Sequence, residues 1–437
     1  MGNHAPDTSS IIATTPRPMP AVAKYGGIAL VVIGVLSAAY GFMTHPDRER
    51  GAFIVNFLYF GGIAQGGFML ACISAITKGR WPRPLKRMAE AFGLFLIPMY
   101  ILLIVFLLGG GLNAYEWFHW TAAEAPPHKA IYLNPTFFVA RQVVGIGLLL
   151  ILDLLFIRAS LRSDLGYAAA RLGDKAPAWW GRLTAGWQGE AAEIAASTER
   201  QARLAPAVAV TYALVWSMVA IDISMSLTPH WYANMFPAWY FMSCIWSGLV
   251  YLGMFSTILR KWMGATKLLT PNVYHDLGKL TFGMTMFWAY TLFAQYLPIW
   301  YGNMTEEIGF ILLRTELQPW ATLSKVVIML CFLVPWTMLL SRGLKKSPPA
   351  YLLVTFIIAT GIWLERFLVV MPTVWKEETL PLGVGEIGMT LGFLGAFILV
   401  VVGFLSKVPP IVVSDPYLAP DPDHVHVLPS SQAHRGH

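Results

Sequence analysis

What most constrains this chain is a series of ten apolar runs, each about as long as a bilayer is thick, separated by polar segments. A helix crossing a hydrocarbon core needs roughly 20 predominantly apolar residues. Runs of that length fall at about 24 to 43, 53 to 76, 88 to 108, 136 to 157, 206 to 227, 236 to 259, 280 to 300, 320 to 340, 350 to 371 and 386 to 405. With 56% hydrophobic and only 13% charged residues among 437, there is too little polar surface to solvate a globule of this size. The chain therefore reads as an all-α integral membrane protein with about ten transmembrane helices. A tail, 1 to 23, precedes the first run, and Ser37, Ala38 and Ala39 make only a weak cleavage pattern, so that run reads as a retained helix.

The net charge of +7 does not point to nucleic acid, because the basic residues gather in alternate loops, which is a topology signal. The loops after runs two, four, six and eight hold Lys78, Arg80, Arg83, Lys86 and Arg87; Arg158, Arg162, Arg171, Lys175, Arg182, Arg200 and Arg203; Arg260, Lys261, Lys267 and Lys279; and Arg342, Lys345 and Lys346. The opposite loops hold Arg48, Arg50, Lys129, Arg314 and Lys376. Nineteen against five predicts both termini, including the 1 to 23 tail, in the cytoplasm. The outward loops are instead rich in Trp, Tyr and Glu, as in 115 to 120 and 300 to 307, which suits an interfacial aromatic belt and a docking surface.

The longest inward loop, 158 to 205, contains an amphipathic stretch from Trp187 to Arg203 expected to lie on the membrane surface. Runs two and six share an aromatic, glycine-bearing pattern, Tyr59-Phe60-Gly61 to Gly67 and Tyr240-Phe241 to Gly248. That spacing would generate a parallel repeat of runs two to five and six to nine, which so faint a similarity leaves open. Gly61, Gly62, Gly66 and Gly67 predict a close helix contact, with approach of a ligand ring as the alternative. From Pro409 to His437 the chain reads as a flexible tail, its His424, His426, His434 and His437 solvated rather than metal-binding.

Chemistry is expected where ionisable groups fall inside the runs, since a charge near the bilayer centre costs several kcal/mol and is kept only against protein or water. Toward the outside these are Arg141, Asp222, Lys325, Glu365, Arg366 and Glu386; toward the inside, Glu90, Asp153, His275 and Asp276. Two polar clusters at opposite depths resemble two proton half-channels. Weaker polar groups lie between them: Asn56, Gln65, Ser217, Ser224, Tyr290, Gln295, Tyr296 and Thr360. Arg141 or Arg366 pairing with Asp222 or Glu365 simply to lock the bundle is the structural alternative. A quinone between Trp231, Trp239 and Trp288, with Asp222 and His230 as proton acceptors, is a further expectation.

Redox groups of the chain's own have no sequence support. Cys72, Cys244 and Cys331 never occur as CxxC or CxxCH, and no histidine lies deep in a run, as a haem b would require. Gly109 to Gly111 ends a run without the strand or lysine of a nucleotide-binding loop.

Several stretches carry a family resemblance: 222 to 231 (DISMSLTPHW), 275 to 279 (HDLGK), 287 to 290 (FWAY) running to 295 to 303 (QYLPIWYGN), Glu306-Glu307, and 361 to 366 (GIWLER) followed by Pro372. Together they resemble the NrfD/polysulfide-reductase membrane subunits over roughly residues 24 to 405. Within them the chain is most similar to the shorter NrfD-like subunits of alternative complex III, a bacterial quinol:cytochrome c oxidoreductase. The resemblance implies two four-helix bundles, about 53 to 227 and 236 to 371, with peripheral first and last helices, in a bacterial inner membrane, and a flexible tail over 406 to 437. It implies no cofactor in this chain, with haem c and iron–sulfur clusters in partner subunits, a larger NrfD-like subunit beside it, and lipid around it. Proton conduction and scaffolding are the roles it implies, with quinone or quinol binding left open. Asp222, His275, Asp276, Glu365 and Arg366 match the family's motif positions; Glu90, Arg141, Asp153, Lys325, Glu386 and Gln65 rest on depth alone. A secondary transporter and a passive membrane anchor of a redox complex remain the alternative classes.

Overall fold

The structure, a computed structural model, describes residues 8–121, 126–377 and 379–418. The described residues hold ten long helices and no strand: α1 (Ala21–Thr44), α2 (Pro46–Ile76), α3 (Arg83–Leu108), α4 (Pro135–Leu172), α5 (Glu190–Val219), α6 (Phe236–Leu259), α7 (Pro271–Gly302), α8 (Trp320–Leu340), α9 (Pro348–Val374) and α10 (Val384–Lys407). Among the described residues nine are long and apolar enough to cross a bilayer, and α7 is the long helix left out. Its interior carries Thr281, Thr285, Thr291 and Gln295. The three threonine hydroxyls return their hydrogen bonds to carbonyls one turn back, at 2.8 to 2.9 Å, which removes most of the cost of burying them in an apolar medium. The chain is an all-α multi-pass membrane protein.

The helices α2 to α5 form one four-helix bundle and α6 to α9 a second, joined through α2 and α6. Glycine decides how close that joint is: a Cβ on Gly66 would stand 1.7 Å from the Cys244 carbonyl oxygen, and one on Gly248 2.0 Å from the Gly67 nitrogen. Gly66 and Gly67 thus make a backbone-to-backbone contact with α6, the close helix contact that the glycine run predicts, while Gly61 faces the Trp216 ring and Gly62 the Cys244 side chain. The outermost helices, α1 and α10, pack mainly on each other. There a Cβ on Gly34 would meet the Gly392 Cα at 2.3 Å.

Local signals set the helix starts. Asn134 caps α4, its side-chain oxygen accepting from the Thr136 and Phe137 N–H groups at 3.0 and 3.3 Å, with Pro135 next, where no N–H is missed. Thr270 and Pro271 do the same for α7, which therefore begins well before the expected 280. In α8 a π turn, Met329–Leu333, precedes Pro335, whose missing N–H breaks the regular ladder.

Both ends of the described chain lie at one end of the molecule, called here the terminal end; the other is the distal end. Two expectations are corrected there. The stretch Trp187 to Arg203 does not form a separate surface helix: from Glu190 it is the first half of α5, stacked on an extension of α4. Arg162 holds Glu193 through two bonds of 2.6 and 2.8 Å, and the Ser163 and Ser197 hydroxyls meet at 3.1 Å. Charged pairs between the helices thus satisfy the polar face that was expected to lie on the membrane surface. Nor is the chain after α10 loose over its first part. Residues 408–414 are buried against α3 and α4, and the strap continues to Leu418. His424, His426, His434 and His437 lie outside the described residues.

Candidate functional site

Three buried positions on α4, Gln142, Asp153 and Asp164, lie eleven residues apart. Eleven residues make three helical turns with about 20° left over, so the three share one face, at intervals of about 16 Å. Each anchors a polar tier in the interior of the first bundle.

At the distal tier, Asp222 sits in a π turn, Ala220–Ser224, that continues α5. Arg141 grips it with two bonds, Nε to Oδ2 at 3.0 Å and Nη2 to Oδ1 at 3.1 Å, and Gln142 donates to Oδ2 at 2.7 Å. The guanidinium is covered by Tyr132 and Phe137, whose ring centres lie 3.9 and 4.2 Å away. Water is thereby thinned around the pair, which strengthens it.

The middle tier is Asp153, which accepts from the Gln65 amide of α2, and no cation pairs with it among the described residues. At the terminal tier Arg87 pairs with both Glu90 and Asp164. Asp164 also accepts from the Ser414 backbone N–H at 2.8 Å. Beside it Asp415 takes Arg83 at 2.8 Å and Lys86 at 2.9 Å. Burial works to raise the Asp415 carboxyl, but the two cations outweigh it and hold it below the ordinary carboxylate range. Among the described residues one acceptor oxygen is left without a donor on each of Gln142, Gln65, Asp153 and Glu90, so every tier has capacity to spare.

The second bundle is built differently. Glu365 is held by its own neighbour on α9, Arg366, through bonds of 2.7 and 2.8 Å, and Arg366 also reaches the Ser243 hydroxyl. Glu365 lines a cavity of about 470 Å³ with Trp231, Trp239, Trp288, Phe310 and Arg314. Trp231 and Phe310 stack at 3.7 Å between ring centres. Among the described residues the indole N–H groups of Trp231, Trp239 and Trp288 find no acceptor. Arg314 binds the carbonyls of Leu368 at 3.0 Å and Val369 at 2.7 Å. Pro372, lacking an N–H, cannot take the Leu368 carbonyl, so the guanidinium supplies the missing donor.

The sequence-predicted residues therefore divide. Arg141 and Asp222 come together, as do Gln65 and Asp153, and Trp231, Trp239 and Trp288 surround one cavity with Glu365. Asp222 and His230, expected beside those tryptophans as proton acceptors, are not part of that cavity's lining; the loop after the π turn brings His230 to the Trp120 ring, 6.1 Å off. Lys325 is exposed on α8 and joins neither cluster. Glu386 pairs with Arg48 where α2 and α10 meet, a third distal site. His275 and Asp276 stand at the start of α7, where Asp276 holds Lys279 at 2.7 Å. Tyr290 and Thr360, expected between the clusters, are exposed. Residues that sequence reasoning missed include Gln142, Asp164, Arg87 and Arg314. The eleven-residue spacing from Asp153 would have found the first two; Arg87 and Arg314 were counted with the loop charges. Among the described residues no three His, Cys, Asp or Glu side chains converge as a metal would need. Comparison with family models and with curated proteins gives no match.

Proposed function

We propose that this chain is the proton-carrying membrane subunit of a bacterial quinol:electron-acceptor oxidoreductase. The reading rests on one observation: three polar tiers on a single face of α4, each with an acceptor unfilled among the described residues, together spanning about 33 Å along the helix. The distal and middle tiers lie within the apolar run, and the terminal tier stands on the extension of α4 beyond it. Protons enter at one end tier, cross the closely packed intervals when water transiently enters them, and rest on Asp153 midway. An electron passing through a neighbouring subunit changes the field at Asp222 and loosens or tightens its hold on Arg141, which moves the proton at that tier. The motif resemblance supports the partners: a larger NrfD-like subunit, a multihaem cytochrome c and an iron–sulfur protein. The distribution of basic residues supports cytoplasmic termini in the inner membrane.

The cavity favours a second activity on the same chain. A quinone ring fits its aromatic walls, and its two carbonyl oxygens would use the indole N–H donors that find no acceptor among the described residues.

Gentle detergent purification from the native membrane, with mass spectrometry and an optical spectrum, tests the assignment. Recovery of a multihaem cytochrome and a large iron–sulfur protein is expected. A colourless chain recovered alone would move the assignment to a transporter. A haem-bearing complex whose proton yield is unaffected by Asp222→Asn would leave a passive anchor.

A further inference from the structure

A cavity of about 10 Å³ lies beside the terminal tier, where α4, α5 and the strap meet. Its lining runs from exposed Pro416 and half-buried Thr198 to the buried side chains of Ser163, Ser197, Gln201 and Ser414. A water molecule needs about that much room and a few polar partners. Gln201 is 7% exposed; its amide nitrogen donates to Ser197 Oγ at 2.9 Å, and its Oε1 finds no donor among the described residues. An amide oxygen buried without a donor is costly, and a polar cavity beside it is where a donor can stand.

From Gln201 a row of hydroxyls leads inward. The Ser197 and Ser163 oxygens are 3.1 Å apart and those of Ser163 and Ser414 3.0 Å, and Ser414 donates to Asp164 Oδ1. Ser197 directs its own proton to the Ala159 carbonyl at 2.7 Å, and Ser163 has the Ser160 carbonyl at 3.3 Å as a second acceptor. A hydroxyl both donates and accepts, and it rotates to change acceptor. One turn of Ser197 from Ala159 toward Ser163 therefore completes a chain that ends on Asp164. Ser414 closes that chain, and it comes from the strap rather than from a spanning helix. Because Arg87 is shared by Asp164 and Glu90, a proton on Asp164 leaves the guanidinium paired with Glu90.

We propose that this cavity holds a water molecule and that Ser197, Ser163 and Ser414 pass protons from it to Asp164, which makes the strap part of the proton entry at the terminal tier. The inference rests on the proton path along α4 and supplies the entry that the path needs. The water, recharged from the bulk, gives a proton to Ser197; Ser197 gives its own to Ser163, Ser163 to Ser414, and Ser414 to Asp164. Each hydroxyl ends with one proton, and the net change is one proton moved inward.

The test is the number of protons translocated per electron by the intact complex in sealed vesicles, read beside a map of the same complex that resolves ordered waters. Ser163→Ala and Ser414→Ala should each lower the proton yield about tenfold, and Ser414→Thr, which keeps the hydroxyl, should hold the wild-type yield. In Ser163→Ala the strap should stay as protected from hydrogen exchange as in wild type, because the Ser414 N–H bond to Asp164 at 2.8 Å is untouched. A loss of yield there is then a loss of the relay and not of the strap. The map should show a water against Gln201 in wild type and none in Gln201→Leu, which removes the bare acceptor. Wild-type yield in both alanine variants, with Asp153→Asn blocked, would overturn the entry and leave the path along α4 standing. An unchanged yield in Asp153→Asn would end the path and the entry with it, and a cavity empty of water in the wild-type map would overturn the entry alone.

Discussion

The fourth helix of each bundle carries a buried acid, Asp222 after α5 and Glu365 on α9, and the two are neutralised in opposite ways. Asp222 is gripped from the next helix by Arg141 and Gln142, so its pair also ties α4 to the end of α5. Glu365 is paired within its own helix by Arg366, and the third helix of that bundle turns its Lys325 outward. An ion pair across helices closes the space between them; one along a helix leaves it free. The first bundle is accordingly filled by tiers of charge, and the second keeps a cavity walled by aromatic rings.

The contrast is sharpest in what substitution should do. Arg87→Ala strands both Glu90 and Asp164 in the first bundle, and the loss of a buried pair of this kind costs about 3–5 kcal/mol, to be read as a lower unfolding midpoint in detergent. Gly66→Val attacks the joint, where a backbone carbonyl cannot yield; about 1–3 kcal/mol or more is expected in the same assay. Ala289→Leu adds volume to the second bundle at the cavity wall, where there is room, so stability should change by less than about 1.5 kcal/mol while any bound quinone is lost from solvent extracts. A stability loss in Ala289→Leu as large as that in Arg87→Ala would erase the distinction between a filled bundle and an open one.

The smallest effect concerns the strap. The Asp415 carboxyl is lowered in the folded state, so its contribution is complete above its ordinary value of about 3.9 and is lost as pH falls through the lowered one. Protection of residues 408–418 against hydrogen exchange, taken relative to the intrinsic rate at each pH, should therefore fall as pH is lowered from 6 through the acid range. Asp415→Asn should show the lowered protection already at pH 6.

Much of this was legible in the chain alone, because length and hydropathy are read directly by a bilayer: each of the ten apolar runs has its helix. The ends of the helices were not, since α4 and α5 run past the membrane on charged pairs such as Arg162 with Glu193, which no hydropathy pattern reports. The buried acids were found by depth, yet their partners depend on which helices are neighbours. Arg141 with Asp222 is among the pairings the sequence suggests, while Arg87 with Asp164 depends on the extension of α4 standing beside the start of α3. Trp231, Trp239 and Trp288, named together from the sequence, line one cavity, but Arg314 reads as a loop charge because its reach to α9 follows from Pro372 and a short helix, Thr305–Thr315, folded back against it.

The central claim is that protons pass along α4 through Asp153, and the most direct test is the number of protons translocated per electron by the intact complex in sealed vesicles. Asp153→Asn keeps the shape and the hydrogen bond to Gln65 within reach but cannot carry a proton, so the account predicts electron transfer with proton translocation abolished or sharply reduced. An unchanged proton yield in that variant would contradict it.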